Sequence, residues 1–189
     1  MAATETAGYK PAASWNSLAG ASGTSSQLKR SDGTVTAAQV AWSSPAQGST
    51  GIYQNWPSDS PGNMRMMNGY LDPNLPGMPG TVTVSGLPAA VSAGGYDVYV
   101  YCLGDLSYQT SRTYQYSIGA TTILVSQVGL SLPTFPGFTV AASGGTGNVV
   151  IFRNVSGASF TLAATPASSP DGNLRAPLNG LQIVSPTGS

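Results

Sequence analysis

The sequence predicts an all-β fold, two packed antiparallel sheets forming a β-sandwich of jelly-roll type, and three observations lead there. No stretch sustains apolar residues at spacings of three and four. Many short runs instead alternate or are rich in β-branched residues, and Gly, Pro, Asn or Asp separates these runs. Eight or so short strands at such intervals pack as two layers, with a closed barrel as the main competing architecture.

Taken in order, Val35 to Trp42 places Ala38, Val40 and Trp42 on one face of a first strand. Thr81 to Val84 is the second and runs into the turn Ser85-Gly86-Leu87-Pro88. Tyr96 to Leu103 is the strongest strand signal, with Val98, Val100 and Cys102 on one face and Tyr99 and Tyr101 on the other. Thr113 to Ile118 and Thr121 to Val128 flank a connection short enough for a hairpin. Asn148 to Val155, Ser159 to Ala164 and Leu181 to Val184 complete the set. If the third and fourth strands pair, Tyr99, Tyr101, Tyr114 and Tyr116 form one aromatic platform; otherwise they form an aromatic half of the core.

The stretch from Ser43 to Pro79 differs, with six prolines and with Tyr53, Trp56, Arg65 and Tyr70 scattered along it. A segment of this length inside a compact domain is functional or disordered, and its aromatics favour an ordered loop packed against something. No repeat and no linker divides the 189 residues, so they read as a single domain.

Composition excludes more chemistry than it suggests. With no histidine and one cysteine, Ser/His and Cys/His catalysis and histidine-based metal sites are absent, and zinc and copper lack ligands. Cys102 reads as a small buried hydrophobe. Charged residues make up 7% of the chain, seven of each sign, against roughly a quarter in ordinary globular domains. That neutrality permits close approach to neutral partners or to other copies. Lys29-Arg30 is the only adjacent pair of cations, too little for a nucleic-acid surface. No run reaches the length of a membrane span, and the start lacks the pattern of a signal peptide, so an exported form implies a leader removed or carried on a longer parent chain.

Several local signatures resemble a secreted bacterial β-sandwich module. They are Trp15-Asn16, Asn68-Gly69-Tyr70-Leu71, Tyr96 to Tyr101, Gly147 to Phe152, Ser159-Phe160-Thr161-Leu162 and the closing Asn179 to Val184. Modules of this kind occur in large cell-surface and polysaccharide-degrading proteins. The resemblance covers roughly residues 5 to 185, as one whole module, and implies an extracellular or cell-surface, non-catalytic role beside glycan-binding domains. It assigns no binding residues.

Of the seven carboxylates, Asp32-Gly33 and Asp171-Gly172 read as turns, Asp72-Pro73 opens a loop and Asp97 begins a strand. Asp59 and Asp105 remain the loop acids open to hydrolytic chemistry, which needs two carboxylates facing one cleft. No cofactor is implied. Oxygen ligands for a structural calcium exist in Asp171-Gly172-Asn173, although a plain turn is the simpler reading. Asn154-Val155-Ser156 matches the N-glycosylation pattern, with a β-turn as its default structure.

Sugar recognition asks for flat aromatic faces beside amide and guanidinium groups. Tyr53-Gln54-Asn55-Trp56 supplies both within four residues, and Leu106 to Arg112 supplies a second polar loop with one aromatic. The sequence therefore predicts binding of neutral polysaccharide, with Tyr53, Trp56 and Tyr108 stacking and Gln54, Asn55, Gln109 and Arg112 contacting hydroxyls. Either loop can instead fold back as a lid, and Trp15 and Trp42 read as core. The rival reading is a self-assembling structural subunit of a surface layer or fibre, since a charge-poor β domain has edges able to pair with its copies. A glycoside hydrolase comes third.

Overall fold

The computed structural model describes residues 1–48, 50–58, 60–104, 111–127 and 132–185. Its strands are β1 (Ser22–Ser25), β2 (Gln39–Ser43), β3 (Ile52–Gln54), β4 (Gly69–Leu71), β5 (Gly80–Ser85), β6 (Tyr96–Tyr101), β7 (Arg112–Ile118), β8 (Thr121–Gln127), β9 (Val149–Val155), β10 (Phe160–Ser168) and β11 (Gly180–Val184). The described helices are two short ones, α1 (Asn63–Asn68) and α2 (Ala89–Ser92).

A six-stranded sheet in the order β1-β2-β5-β10-β7-β8 packs on a three-stranded sheet, β11-β6-β9, and β3 and β4 form a separate hairpin. Every strand pairing is antiparallel. Strict alternation builds the layer between the two sheets. Val82 and Val84 of β5, Phe160, Leu162 and Ala164 of β10, and Tyr114, Tyr116 and Ile118 of β7 face Val98 and Val100 of β6 and Val150 and Phe152 of β9. Thr81, Thr83 and Thr161 take the intervening positions on the outer face. Each buried side chain of this size contributes about 1.5 to 3 kcal/mol relative to exposure, so this layer is the main source of stability.

The three-stranded sheet is buried on its second face as well. Tyr99, Tyr101 and Val149 point away from the six-stranded sheet into a cluster with Ala7, Trp56, Met66, Met67 and Leu103, edged by Trp15, Phe135 and Phe138. The N-terminal arm and the long Pro-rich segment thus form a third layer. Tyr101 clamps it: its hydroxyl donates to Gln182 Oε1 at 2.7 Å and accepts from the Tyr9 amide at 2.8 Å.

The structure corrects the tyrosine platform. β6 and β7 lie in different sheets, so Tyr114 and Tyr116 enter the layer between the sheets while Tyr99 and Tyr101 sit on the far side of β6. Other departures are local. The first expected strand begins later, at Gln39, because residues 28–38 extend the β1–β2 hairpin through bonds such as Leu28 N–H to Ala38 C=O and turn over at Gly33, φ +85°. The β1 strand carries no apolar signal and is fixed by Trp42, whose ring would lie 2.6 Å from any Cβ at Gly23. The long segment is not wholly irregular, since it holds β3, α1 and β4. Asn154 lies within β9 rather than in a turn. The Thr113/Thr121 hairpin forms as expected, turning at Gly119 with φ +57°.

Cys102 lies in the core between the sheets, and burial pushes its thiol up to about 12. The native protein should therefore resist a thiol reagent at about pH 8 and react fully once denatured; rapid stoichiometric labelling of the folded protein would place Cys102 elsewhere.

Candidate functional site

The β3–β4 hairpin carries the first group of expected site residues, and its construction separates them. Tyr53 pairs across it with Tyr70, ring centroids 6.1 Å apart, and Tyr53 is 61% exposed over its buried neighbour. Gln54 is exposed too, but the alternation of a strand sends it to the opposite side of the ribbon from Tyr53. One ligand face does not receive both.

Asn55 and Asn68 lock the base of the hairpin. Asn55 Nδ2 donates to the carbonyls of Met67 (2.7 Å) and Leu103 (2.9 Å), and Asn68 Oδ1 accepts from the Trp56 amide at 2.8 Å. Trp56 is then driven inward. It is 4% exposed, packs in the cluster behind β6, and donates from Nε1 to Leu132 C=O at 2.8 Å. Its expected stacking role gives way to a structural one, because the second face of the three-stranded sheet needs an aromatic cover. Asn55 likewise spends its amide donors on the backbone.

Arg112 opens β7 with its side chain 2% exposed. It donates to Asp171 at 2.8 Å and from Nε to Ser169 Oγ at 3.2 Å. Asp171 also accepts from Ser169 Oγ and from the Asn173 amide, and these bonds together with Arg112 hold its carboxyl far below the usual range. The Asp171-Gly172-Asn173 run is thus a turn closed on a guanidinium. Tyr108, Gln109, Asp59 and Asp105 lie outside the described residues.

A buried polar layer beside Gly104 escaped sequence reasoning. Asp72, 3% exposed, accepts from Arg175 at 3.1 Å through Oδ2, while its Oδ1 has no partner among the described residues. Burial raises the Asp72 carboxyl above its ordinary value despite Arg175 and Arg112, and burial likewise raises the Tyr70 hydroxyl. Gln127 Nε2 donates to Gly104 C=O at 2.8 Å. The Tyr114 hydroxyl and Gln127 Oε1 are buried without partners among the described residues. An Asp-Pro dipeptide, read locally, gave no sign of this layer.

Ion pairs and a turn hold the remaining described acids. Glu5 meets Arg65 at 2.7 Å, Asp97 meets Arg153 at 2.6 Å, and Asp32 accepts from the Thr34 amide at 2.8 Å within its turn. Among the described residues no group of three or more His, Cys, Asp or Glu side chains is placed to hold a metal. No described helix is long and apolar enough to cross a membrane. Comparison of the chain with family models, with curated proteins and with solved structures returned no match.

Two outcomes follow. Trp56→Ala should cost about 3 to 5 kcal/mol in urea unfolding, the range for an aromatic removed from a core; a loss below about 1 kcal/mol would free Trp56 for ligand. Asp171 is held below the ordinary aspartate value of 3.8, so its pairing contributes fully above that value and is lost as pH falls toward the folded pKa. Asp171→Asn should therefore destabilise the protein near neutral pH, and the gap in melting temperature should narrow as pH is lowered from about 5 to about 2. A gap independent of pH would remove the pairing as its cause.

Proposed function

We propose that this chain is a non-catalytic, extracellular or cell-surface module that binds neutral polysaccharide, with Tyr53 as its stacking face. One observation carries the reading: a tyrosine ring, 61% exposed, is held on a hydrogen-bonded hairpin and backed by a second tyrosine instead of hanging from a free loop. A ring fixed in advance loses little rotamer freedom on stacking, which is what aromatic recognition of sugars requires. The scarcity of charge favours a neutral ligand. The resemblance to secreted β-sandwich modules supports the non-catalytic, extracellular part.

Self-assembly into a surface layer or fibre is the second reading, and the edges of the six-stranded sheet give it one specific support. The β8 edge is covered, since Ser126 N–H donates to Gly145 C=O at 2.9 Å and Gly144 N–H to Leu124 C=O at 2.8 Å. At the other edge β1 pairs, among the described residues, with β2 alone. The Ala21–Ser44 bond sets the alternation of the ladder, leaving the backbone groups of Ser22 and Thr24 directed away from β2.

Tyr53→Ala should weaken binding of soluble neutral glycans by about 1 to 3 kcal/mol, the range of other aromatic stacking contacts, with unchanged thermal stability. Unaltered affinity would overturn the assignment of Tyr53. If β1 pairing is the function instead, sedimentation should show association that persists at high salt, because strand pairing and apolar contact are screened little; a monomer at all ionic strengths would remove that reading.

A further inference from the structure

The end of the sandwich away from Gly104 carries a concave feature. Tyr70 lies against Gly104, at the end where β6 finishes and β7 begins, whereas Ile118 and Tyr96 mark the other end. There the β7–β8 turn, the end of β9 and the start of β10 enclose an open cleft of about 490 Å³, within the size range of small-molecule sites. Its floor is apolar, formed by Ile118, Phe152 and Phe160, each nearly buried. Its rim includes the exposed Thr121, Asn154 and Ser159.

The backbone is reshaped at this rim. Tyr96 faces Val155 and Val98 faces Phe152, so Asp97 of β6 stands opposite two residues of β9, Arg153 and Asn154. This is a β-bulge, a device that re-aims a side chain. Asp97 satisfies both bulged residues, taking Arg153 Nη1 at 2.6 Å on Oδ2 and the Asn154 amide at 3.1 Å on Oδ1. Asn154 sits at φ +55°, in the left-handed region that asparagine tolerates better than most residues. Its side-chain amide makes no hydrogen bond among the described residues.

We infer that this cleft is a binding site for one ring of a neutral saccharide. The charge of Arg153 is answered by Asp97, so the cleft offers no net charge to an ion. What remains is a rim of amide and hydroxyl groups over the nearly buried outer edges of Ile118, Phe152 and Phe160, which matches a small neutral ligand recognised by hydroxyl-type hydrogen bonds above an apolar base. The ligand class rests on the proposed function; the site is separate from Tyr53.

The test is titration of the isotopically labelled protein with cellohexaose, xylohexaose and mannohexaose, following amide shifts, for the wild type, Asn154→Gly, Ser159→Tyr and Tyr53→Ala. Glycine suits the left-handed backbone, so Asn154→Gly removes the amide without strain, and Ser159→Tyr fills the cleft. A set of shifts at residues 118–121 and 152–161, distinct from those around Tyr53, weakened at least tenfold by both cleft variants and retained in Tyr53→Ala, is the expected result. Unchanged affinity of folded Asn154→Gly and Ser159→Tyr would overturn the cleft while leaving the Tyr53 assignment standing if Tyr53→Ala alone abolishes binding. No shift with any of the three oligosaccharides would overturn both.

Discussion

The three-stranded sheet has two faces, and the six-stranded sheet can bury only one. Most of the rest of the structure answers that constraint. β6 presents Val98 and Val100 to the facing sheet and Tyr99 and Tyr101 to the other side, and all four are buried. An uncovered second face would expose two tyrosines together with Val149 and Ile151, a contiguous apolar patch of the kind that promotes association. The N-terminal arm and the Pro-rich segment close over it. Pro and Gly there let the chain change direction often, and Asn55, Asn68 and Asn179 satisfy backbone groups that no strand pairs: Asn179 Nδ2 donates to Met67 C=O at 2.8 Å, and Asn179 Oδ1 accepts from the Leu103 amide at 2.7 Å.

So few charges make each ion pair a tie between distant parts of the chain. Glu5–Arg65 joins the N-terminal arm to α1, Asp72–Arg175 joins the Pro-rich segment to the stretch before β11, and Asp171–Arg112 joins that stretch to β7. The pairs are unequal in cost. Asp171 has its carboxylate stabilised by several donors, whereas Asp72 sits where desolvation outweighs two guanidinium groups, so ionisation there carries a penalty. In linkage terms they oppose each other: the Asp171 contribution fades as pH falls below 3.8, while that of Asp72 is greatest below 3.8 and fades as pH rises through its raised folded value.

The sandwich was legible because its strands obey local rules. Val82/Val84, Val98/Val100 and Tyr114/Tyr116 alternate with polar or outward-facing residues, and period two survives any choice of partner strand. What depended on partners was not legible. Period two says that Tyr99 and Tyr101 share a face, but the strand order decides whether Tyr114 and Tyr116 join them. The β1 strand, with Ser, Gly and Thr, exists through Trp42 lying on Gly23, a contact with no local trace. The candidate site divides the same way. Tyr53 and Trp56 are equivalent in a sequence window of four residues, and only the hairpin register turns one to solvent and the other into the cluster behind β6.

That division bears on function. Aromatic content in an irregular segment suggested a binding loop, but a segment that must cover a sheet consumes its aromatics in doing so, and Trp56, Trp15, Phe135 and Phe138 are spent in this way. In the proposed function, recognition falls to groups the covering does not need. One is Tyr53, carried outward by a hairpin whose other tyrosine already fills the interior. The others gather at the bulge of β9, where Asp97 absorbs both an amide and a guanidinium and leaves the Asn154 side chain beside an apolar floor. Both sets are uncharged in balance and rest on hydrogen-bonded strands, which fits the proposed recognition of a neutral partner through ring faces and hydroxyl-type hydrogen bonds in place of salt bridges.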